Sequence, residues 1–419
     1  MAHPMTLVTL AFVAALLVSL GLRLWLAHRQ VRHVAAHRRS VPAAFVGHIS
    51  LEDHQKAADY TVARVRFGRV GAIVDTALIV AFTLAGGIDA LAELSARWFA
   101  SPLWQGVALI ALIGSISGLV GLPLAWIRTF GLEARFGFNK MTPAMFVSDT
   151  LKGAVLSAAI GLPLIALVLW LMREMGEAWW LWTWLAWAGI SLLLLVIYPT
   201  LIAPLFNKFT PLADPQLVER INALMARTGF RAKGLFVMDG SRRSSHGNAY
   251  FTGFGAAKRI VFFDTLLKQL SPPEVEAVLA HELGHFKRRH IVKRMVFSFA
   301  LTLACLWGLG QLLHQAWFYL GLGVTWPSHA AALVLFFMVL PAFTFPFTPV
   351  SSLMSRRHEY EADDFAAAET RAADLVSALI KLYRDNASTL TPDPLFSAFY
   401  DSHPPAALRI AHIQQGAAV

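Results

Sequence analysis

Residues 295–355 read MVFSFALTLACLWGLGQLLHQAWFYLGLGVTWPSHAAALVLFFMVLPAFTFPFTPVSSLMS, and from Met295 to Ser355 there is no Lys, Arg, Asp or Glu. One helical crossing of a bilayer takes about 20 apolar residues, so this run is long enough for two. Gly321 to Ser328, with Gly, Thr, Pro and Ser, is the natural turn between them. Working outwards, His3 to Leu22, Trp98 to Ile127, Gly153 to Met172 and Ala178 to Asn207 are each apolar enough to span. Val70 to Leu91 is a weaker span because it carries Asp75 and Asp89. Asp75 reads either as solvated near a helix end or as facing an internal polar cavity. The count is seven spans, and 56% hydrophobic residues with a mean hydropathy of +0.54 agree with a multi-pass α-helical membrane protein.

The cations orient it. Arg29, Arg32, Arg38, Arg39, Lys56, Arg64, Arg66 and Arg69 crowd the loop after the first span, whereas the loops around Arg97 and Arg173 hold one each. By the positive-inside rule the crowded loop is cytoplasmic. Counting crossings from an outside N-terminus puts the segment from about Lys208 to Arg294, and everything after Arg356, on the same side. The first span lacks a basic stretch before its apolar core and reads as a retained anchor rather than a secretory signal. The formal charge of +10 follows from this topology and from attraction to anionic lipid, so the expected partner is the bilayer and not nucleic acid. Cys305, the lone cysteine, falls inside a predicted span, which excludes disulfides and cysteine-based metal sites. The expected organisation is residues 1–206 with five transmembrane helices, 207–294 as a cytoplasmic catalytic segment, 295–355 with two more helices, and 356–419 as a cytoplasmic C-terminal segment. The C-terminal Gln414 to Val419 carries no endoplasmic-reticulum retrieval signal, and with the Arg- and Ala-rich composition this points to a bacterial inner membrane.

Within 207–294 lies His281-Glu282-Leu283-Gly284-His285. On a helix, residues four apart share a face, so His281 and His285 can offer ring nitrogens to one Zn2+ while Glu282 holds a metal-bound water. The motif is short enough to arise by chance and needs a helix around it. Ser271-Pro272-Pro273-Glu274 supplies an N-cap, a proline at the first helical position and a glutamate three after the serine. Two histidines leave zinc short of a protein ligand. A longer motif with a third histidine is excluded, since Arg288 and Ile291 stand where glycine and histidine are required. The best source is Glu359-Tyr360-Glu361-Ala362-Asp363-Asp364, in which Glu359 and Asp363 share a face. Glu359 is therefore the expected third ligand and Asp363 the residue that orients a ligating histidine, with Glu361 pointing roughly the opposite way. Before the motif, Leu217 to Thr228 reads as an amphipathic helix, and Gly234 to Met238, Asn248 to Phe251 and Arg259 to Phe263 as strands, with Gly253, Gly255 and Lys258 in the last turn. This makes a small cytoplasmic α+β domain with a strand edge for an extended peptide.

Several blocks together resemble the CAAX prenyl protease type I family of integral-membrane zinc endopeptidases. They are Glu133 to Lys140, Ala203 to Phe209, Asn248 to Phe251 with Lys258 to Val261, His281 to His285, Ser355 to Asp363, and Ser402-His403-Pro404-Pro405 with Arg409. The resemblance implies seven helices around a large water-filled chamber, one catalytic zinc near its cytosolic end, and a peptide or protein substrate. It also implies substrate contact at Asn248, Ala249 and Tyr250, and His403 and Arg409 beside the zinc as candidate oxyanion stabilisers. One departure is His246-Gly247-Asn248, where the family often has serine in the middle. Hydrolysis of CAAX-type or membrane-associated polypeptides is the expected activity. The alternatives are a quality-control protease of the heat-shock membrane type and, from another class, a seven-helix transporter or scaffold with structural zinc.

Overall fold

The computed structural model describes residues 2–252 and 258–416; Gly253, Gly255 and Ala417 to Val419 lie outside the described residues. Helix α1 (Ala2–His37) runs well past the expected span because Leu26 and Val34 continue its buried stripe, and Arg29 pairs with Asp393 at 2.9 Å beyond the apolar part. Helix α2 (Leu51–Phe82) starts where the Ser50 hydroxyl accepts the Asp53 N–H at 3.0 Å. It bends by 59° into α3 (Gly87–Trp98), so the weak span at Val70 to Leu91 is a broken pair and not one straight helix. Glycines permit the bend. Gly86 has φ +78°, and a Cβ on Gly87 would lie 2.5 Å from the Ala81 carbonyl oxygen. Among the described residues, six helices are long and apolar enough to cross a membrane, and seven if the bent pair counts as one span. Asp75 sits inside α2 with an exposed side chain, not at a helix end. The Asp89 carboxylate accepts the Thr325 N–H at 2.8 Å and its hydroxyl at 2.6 Å, tying α3 to the turn before the last span.

Helices α4 (Pro102–Trp126), α5 (Pro143–Glu174) and α6 (Trp179–Ile197) complete the N-terminal membrane region. A π-helical extension of α4, Ile127–Glu133, presents Glu133 to the Tyr60 hydroxyl at 2.9 Å. The chain then enters a four-stranded sheet: β1 (Phe209–Pro211), α7 (Pro215–Thr228), β2 (Leu235–Met238), β3 (Ala249–Thr252) and β4 (Arg259–Phe263), in the order β1-β2-β4-β3. Strand β2 runs parallel to β4, and the outer pairs are antiparallel. Strand β1 was not expected; three residues ending in proline carry no alternation, and the proline is tolerated at a sheet edge. After α8 (Asp264–Gln269), α9 (Pro272–Lys287) packs Val275 and Leu279 against Ile260 and Phe262 of β4 and Ile221 of α7. Then come α10 (His290–Leu312), the short α11 (Ala316–Gly321), α12 (His329–Thr344) and α13 (Thr348–Glu369), which carries the acidic segment. Helices α14 (Ala372–Asp385), α15 (Pro394–Tyr400) and α16 (Ala406–Gly416) close the chain.

The helices enclose a chamber, closed at one end by their own packing. The large buried cluster of Phe12, Ile88, Leu109, Leu169, Leu309 and Leu335 joins the parts of the spans farthest from the sheet. At the opposite end the sheet domain and α13 to α16 form the lid, docked where Lys140 N–H meets the Arg243 carbonyl at 3.1 Å and Arg243 pairs with Asp149 at 2.9 Å. Helix α2 carries the exposed Asp75 and an Arg69 whose Nε and Nη2 are buried with no hydrogen-bond partner among the described residues.

Glu274 locks α9 to α14 and gives a pH test. Its carboxylate accepts the Ser271 N–H at 2.7 Å, the Ser377 hydroxyl at 2.6 Å and Lys381 Nζ at 2.8 Å. Burial alone would raise its pKa, but these three partners bring it down to about 2 from 4.5. A depressed folded-state value contributes stability that is complete above about pH 4.5 and lost as pH falls towards 2, worth about 3 kcal/mol at 1.36 kcal/mol per unit. Thermal melting of detergent-solubilised Glu274→Gln protein is expected below the parent by a constant gap above about pH 5, narrowing below it. A gap independent of pH down to 3 would contradict this.

Candidate metal centre

The site is made by a helix crossing. Gly284 on α9 lies against Ala362 on α13, where an added Cβ would sit 2.9 Å from the Ala362 Cα and 3.1 Å from its carbonyl oxygen. Both contacts are with backbone, so the glycine is what lets the two helices approach closely enough to share a ligand. Gly284→Ala is expected to push α13 away at a cost of about 1–3 kcal/mol. Its zinc content, measured by elemental analysis, should fall with its melting temperature; full occupancy would show that the crossing tolerates the methyl.

The crossing brings together His281, His285 and Glu359, whose ligand atoms lie within 4.8 Å of one another. His281 Nε2 is 3.4 Å from Glu359 Oε2, and His285 Nε2 is 3.3 Å from Glu359 Oε1. With metal–ligand bonds of about 2.0–2.1 Å, two corners of a zinc tetrahedron lie about 3.3–3.4 Å apart, so these spacings are those of a zinc site. Glu359 is buried, and its Oε2 has no hydrogen-bond donor among the described residues. An orphaned buried carboxylate oxygen between two imidazoles fits a divalent cation.

Each imidazole is held from behind. His281 Nδ1 is 2.8 Å from Asp363 Oδ1, and Asp363 is fully buried and clamped by Arg409, Nε at 2.8 Å and Nη2 at 2.6 Å. Burial lowers the His281 pKa, but Asp363 and Glu359 outweigh it and bring it up to about 9 in the metal-free chain. His285 Nδ1 faces His290 Nδ1 at 2.9 Å, and His290 Nε2 meets Glu361 Oε2 at 3.0 Å. The expected opposite orientation of Glu361 is therefore incomplete: it leaves the ligand triangle but returns to the centre through His290.

The remaining expected residues gather on the open side. Glu282, half-buried on α9, has no competing hydrogen bond among the described residues, and burial pushes its carboxyl up despite the two histidines. His403 Nε2 lies 3.3 Å from Glu359 Oε1, and its Nδ1 is 2.9 Å from the Ser402 hydroxyl. With Nδ1 accepting from Ser402, Nε2 carries the proton and points it at the site. Arg409 is engaged on Asp363, and it reaches two of the candidate ligands, with Nη2 3.3 Å from His281 Nδ1 and Nη1 3.7 Å from Glu359 Oε2. A cavity of about 430 Å³ lined by Arg64, Tyr383, His403 and Arg409 opens beside them. Asn248 is exposed at the start of β3, Ala249 is buried, Tyr250 is half-buried, and β3 is an edge of the sheet. At the departure, a Cβ on Gly247 would lie 2.3 Å from Gln269 Oε1, so Gln269 fills the space a serine side chain would take.

Sequence reasoning assigned no role to Gly284, His290 or Ser402. Gly284 stands at an unspecified position of the motif. His290 lies beyond a turn whose left-handed residue is Arg289, φ 56°, with no glycine to announce it.

Comparison with known proteins agrees with this architecture. Residues 30–208 match the family described as CAAX prenyl protease N-terminal, five membrane helices, and residues 211–417 match peptidase family M48. CAAX prenyl protease 1 homolog of Arabidopsis thaliana is 35% identical over 382 residues, covering 89% of this chain and 90% of the relative. CAAX prenyl protease 1 of Saccharomyces cerevisiae is 34% identical, covering 92% and 90%, and the Homo sapiens homolog 32%, covering 95% and 94%. The crystal structure of S. mikatae Ste24p superposes with a TM-score of 0.91 at 32% identity, covering 97% of this chain and 99% of that one.

Proposed function

Since the chain belongs to peptidase family M48 and is an integral-membrane zinc metalloendopeptidase, we propose that it cuts CAAX-type or membrane-associated polypeptides inside its chamber, at His281, His285 and Glu359. The observation that carries this is the ligand triangle with Glu282 on the same helix, beside a cavity lined by His403 and Arg409. Zinc, when bound, supplies Lewis acidity that brings the pKa of water down to about 7. Glu282, its pKa raised by burial, takes the proton of the attacking water and returns it to the leaving amine nitrogen as the C–N bond breaks. His403 Nε2–H donates to the carbonyl oxygen as it gains charge, and Arg409 holds Asp363 against His281. The substrate lies extended along the β3 edge, its backbone met by Asn248 and by β3 at Ala249 and Tyr250.

The relatives are named for CAAX processing, and a C-terminal farnesylated peptide is the first substrate to offer. Purified protein is expected to cleave it, with slower cleavage of the unmodified peptide. Cleavage of neither, by zinc-replete protein, would remove the CAAX-type reading.

The site faces the cytoplasm in this proposal. Supporting it, the Arg29 to Arg69 cations, the sheet domain and α13 share one end, while Thr9, Asp89 and the Gly321 to Ser328 turn share the other, with Thr9 Oγ1 donating to the Gly321 carbonyl at 2.7 Å. Trp326, Val46 and Leu408 are 70%, 62% and 56% exposed. In a Cys305→Ser background, cysteines at these positions in intact cells should react with an impermeant reagent strongly at 326 and weakly at 46 and 408. Equal labelling would reassign the site to the other side. Composition supports a bacterial inner membrane, although the relatives named here are eukaryotic. Division into residues 1–206, 207–294, 295–355 and 356–419 remains the working organisation, with α13 crossing the last boundary.

A further inference from the structure

We propose that His290 and Glu361 are positioning residues that fix His285 as a zinc ligand through a relay one imidazole longer than the Asp363 contact behind His281. The inference rests on the zinc reading of the site. His290 is 2% exposed and lies between two partners, with Nδ1 2.9 Å from His285 Nδ1 and Nε2 3.0 Å from Glu361 Oε2. Its ring stacks on His358 with centroids 4.0 Å apart at 12°, so its plane is set. Glu361 is steadied by Arg357, whose Nε donates to Oε1 at 3.1 Å.

Proton placement leaves one arrangement that serves the metal. His285 offers a lone pair from Nε2 only if its proton sits on Nδ1. That proton then points at His290 Nδ1, which must be bare to accept it. The His290 proton is thereby on Nε2, where an anionic carboxylate waits to receive it. Glu361 thus selects the tautomer of His290, and His290 selects the tautomer of His285. Both ligating histidines trace back to carboxylates of α13, which also supplies the ligand Glu359, so all three acidic side chains at 359, 361 and 363 serve one centre.

The backbone is arranged for this contact. Five residues along an unbroken helix correspond to about 140° of rotation, which would carry residue 290 away from residue 285. Arg289 takes a left-handed conformation, φ 56°, that a residue with a Cβ adopts at a cost. It ends α9 and starts α10 in a new direction, with His290 turned back onto His285.

The test uses purified full-length protein, with zinc affinity from chelator competition and the visible spectrum of the cobalt-substituted form. His290→Ala removes the acceptor for the His285 N–H and is expected to weaken zinc binding about 10–100-fold and shift the cobalt bands. His290→Asn places an amide oxygen where Nδ1 stood, and should recover most of the affinity and the parental spectrum. Glu361→Gln, at a partly exposed position, keeps the shape but not the charge that selects the tautomer, and is expected to lose affinity to an intermediate degree. Parental affinity and spectrum in His290→Ala or in Glu361→Gln would overturn the relay. So would an Asn variant as defective as Ala, since that pattern marks packing alone. Parent protein that binds no zinc would instead strike the zinc reading itself.

Discussion

Glu282→Gln is expected to retain one zinc per chain and to lose about 10²–10⁴-fold in turnover. In the proposed site the ligand atoms belong to His281, His285 and Glu359, so an isosteric amide at 282 would leave the metal's protein contacts in place. It has no site to receive a proton from water at neutral pH. The parental carboxyl has such a site, and burial raises its pKa above the usual carboxylate value, a shift opposed but not cancelled by the neighbouring histidines. Elemental analysis beside a peptide cleavage assay separates the two effects. Turnover near that of the parent, with zinc retained, would remove Glu282 as the base.

Glu359→Ala is expected to lose zinc far more completely than Glu361→Ala. The first removes one of the three proposed protein ligands, and the 3.3 Å and 3.4 Å contacts that fit a tetrahedron end on its two oxygens. The second removes the far end of the relay through His290, and loss of an outer partner costs about 10–100-fold in affinity. Dialysis against a graded chelator series should therefore strip Glu359→Ala first, Glu361→Ala next and the parent last. Equal zinc content in the two variants would place the third ligand elsewhere.

The parts of this site that were legible before the structure were those carried by spacing along one helix. His281, Glu282 and His285 fall on α9, Glu359 and Asp363 on α13, and both helices open on local signals or follow an apolar span. The apolar runs likewise mark the spans, because the bilayer imposes a length that any reading of hydropathy recovers. What escaped notice depends on distant pieces meeting. Gly284 has meaning only against the Ala362 backbone, 78 residues away by number, and His290 only because Arg289 takes an unannounced left-handed turn. The break between α2 and α3 was written in Gly86-Gly87 but masked by the apolar residues on either side. His403 and Arg409 come from a proline-bounded loop and a short helix with no spacing relation to the motif, so only family resemblance pointed to them. The quality-control and structural-zinc alternatives give way to the M48 match over residues 211–417 joined to the five-helix match over residues 30–208.

The most direct test is to strip the purified protein of metal with a chelator, remove the chelator, and follow peptide hydrolysis while zinc is returned in fractions of one equivalent. One catalytic ion held by His281, His285 and Glu359 predicts that stripping abolishes hydrolysis and that activity rises linearly to a break at one zinc per chain. In Glu282→Gln protein the same titration should bind one equivalent without restoring cleavage. Hydrolysis that survives complete removal of zinc, or that needs a second equivalent to appear, would contradict the account.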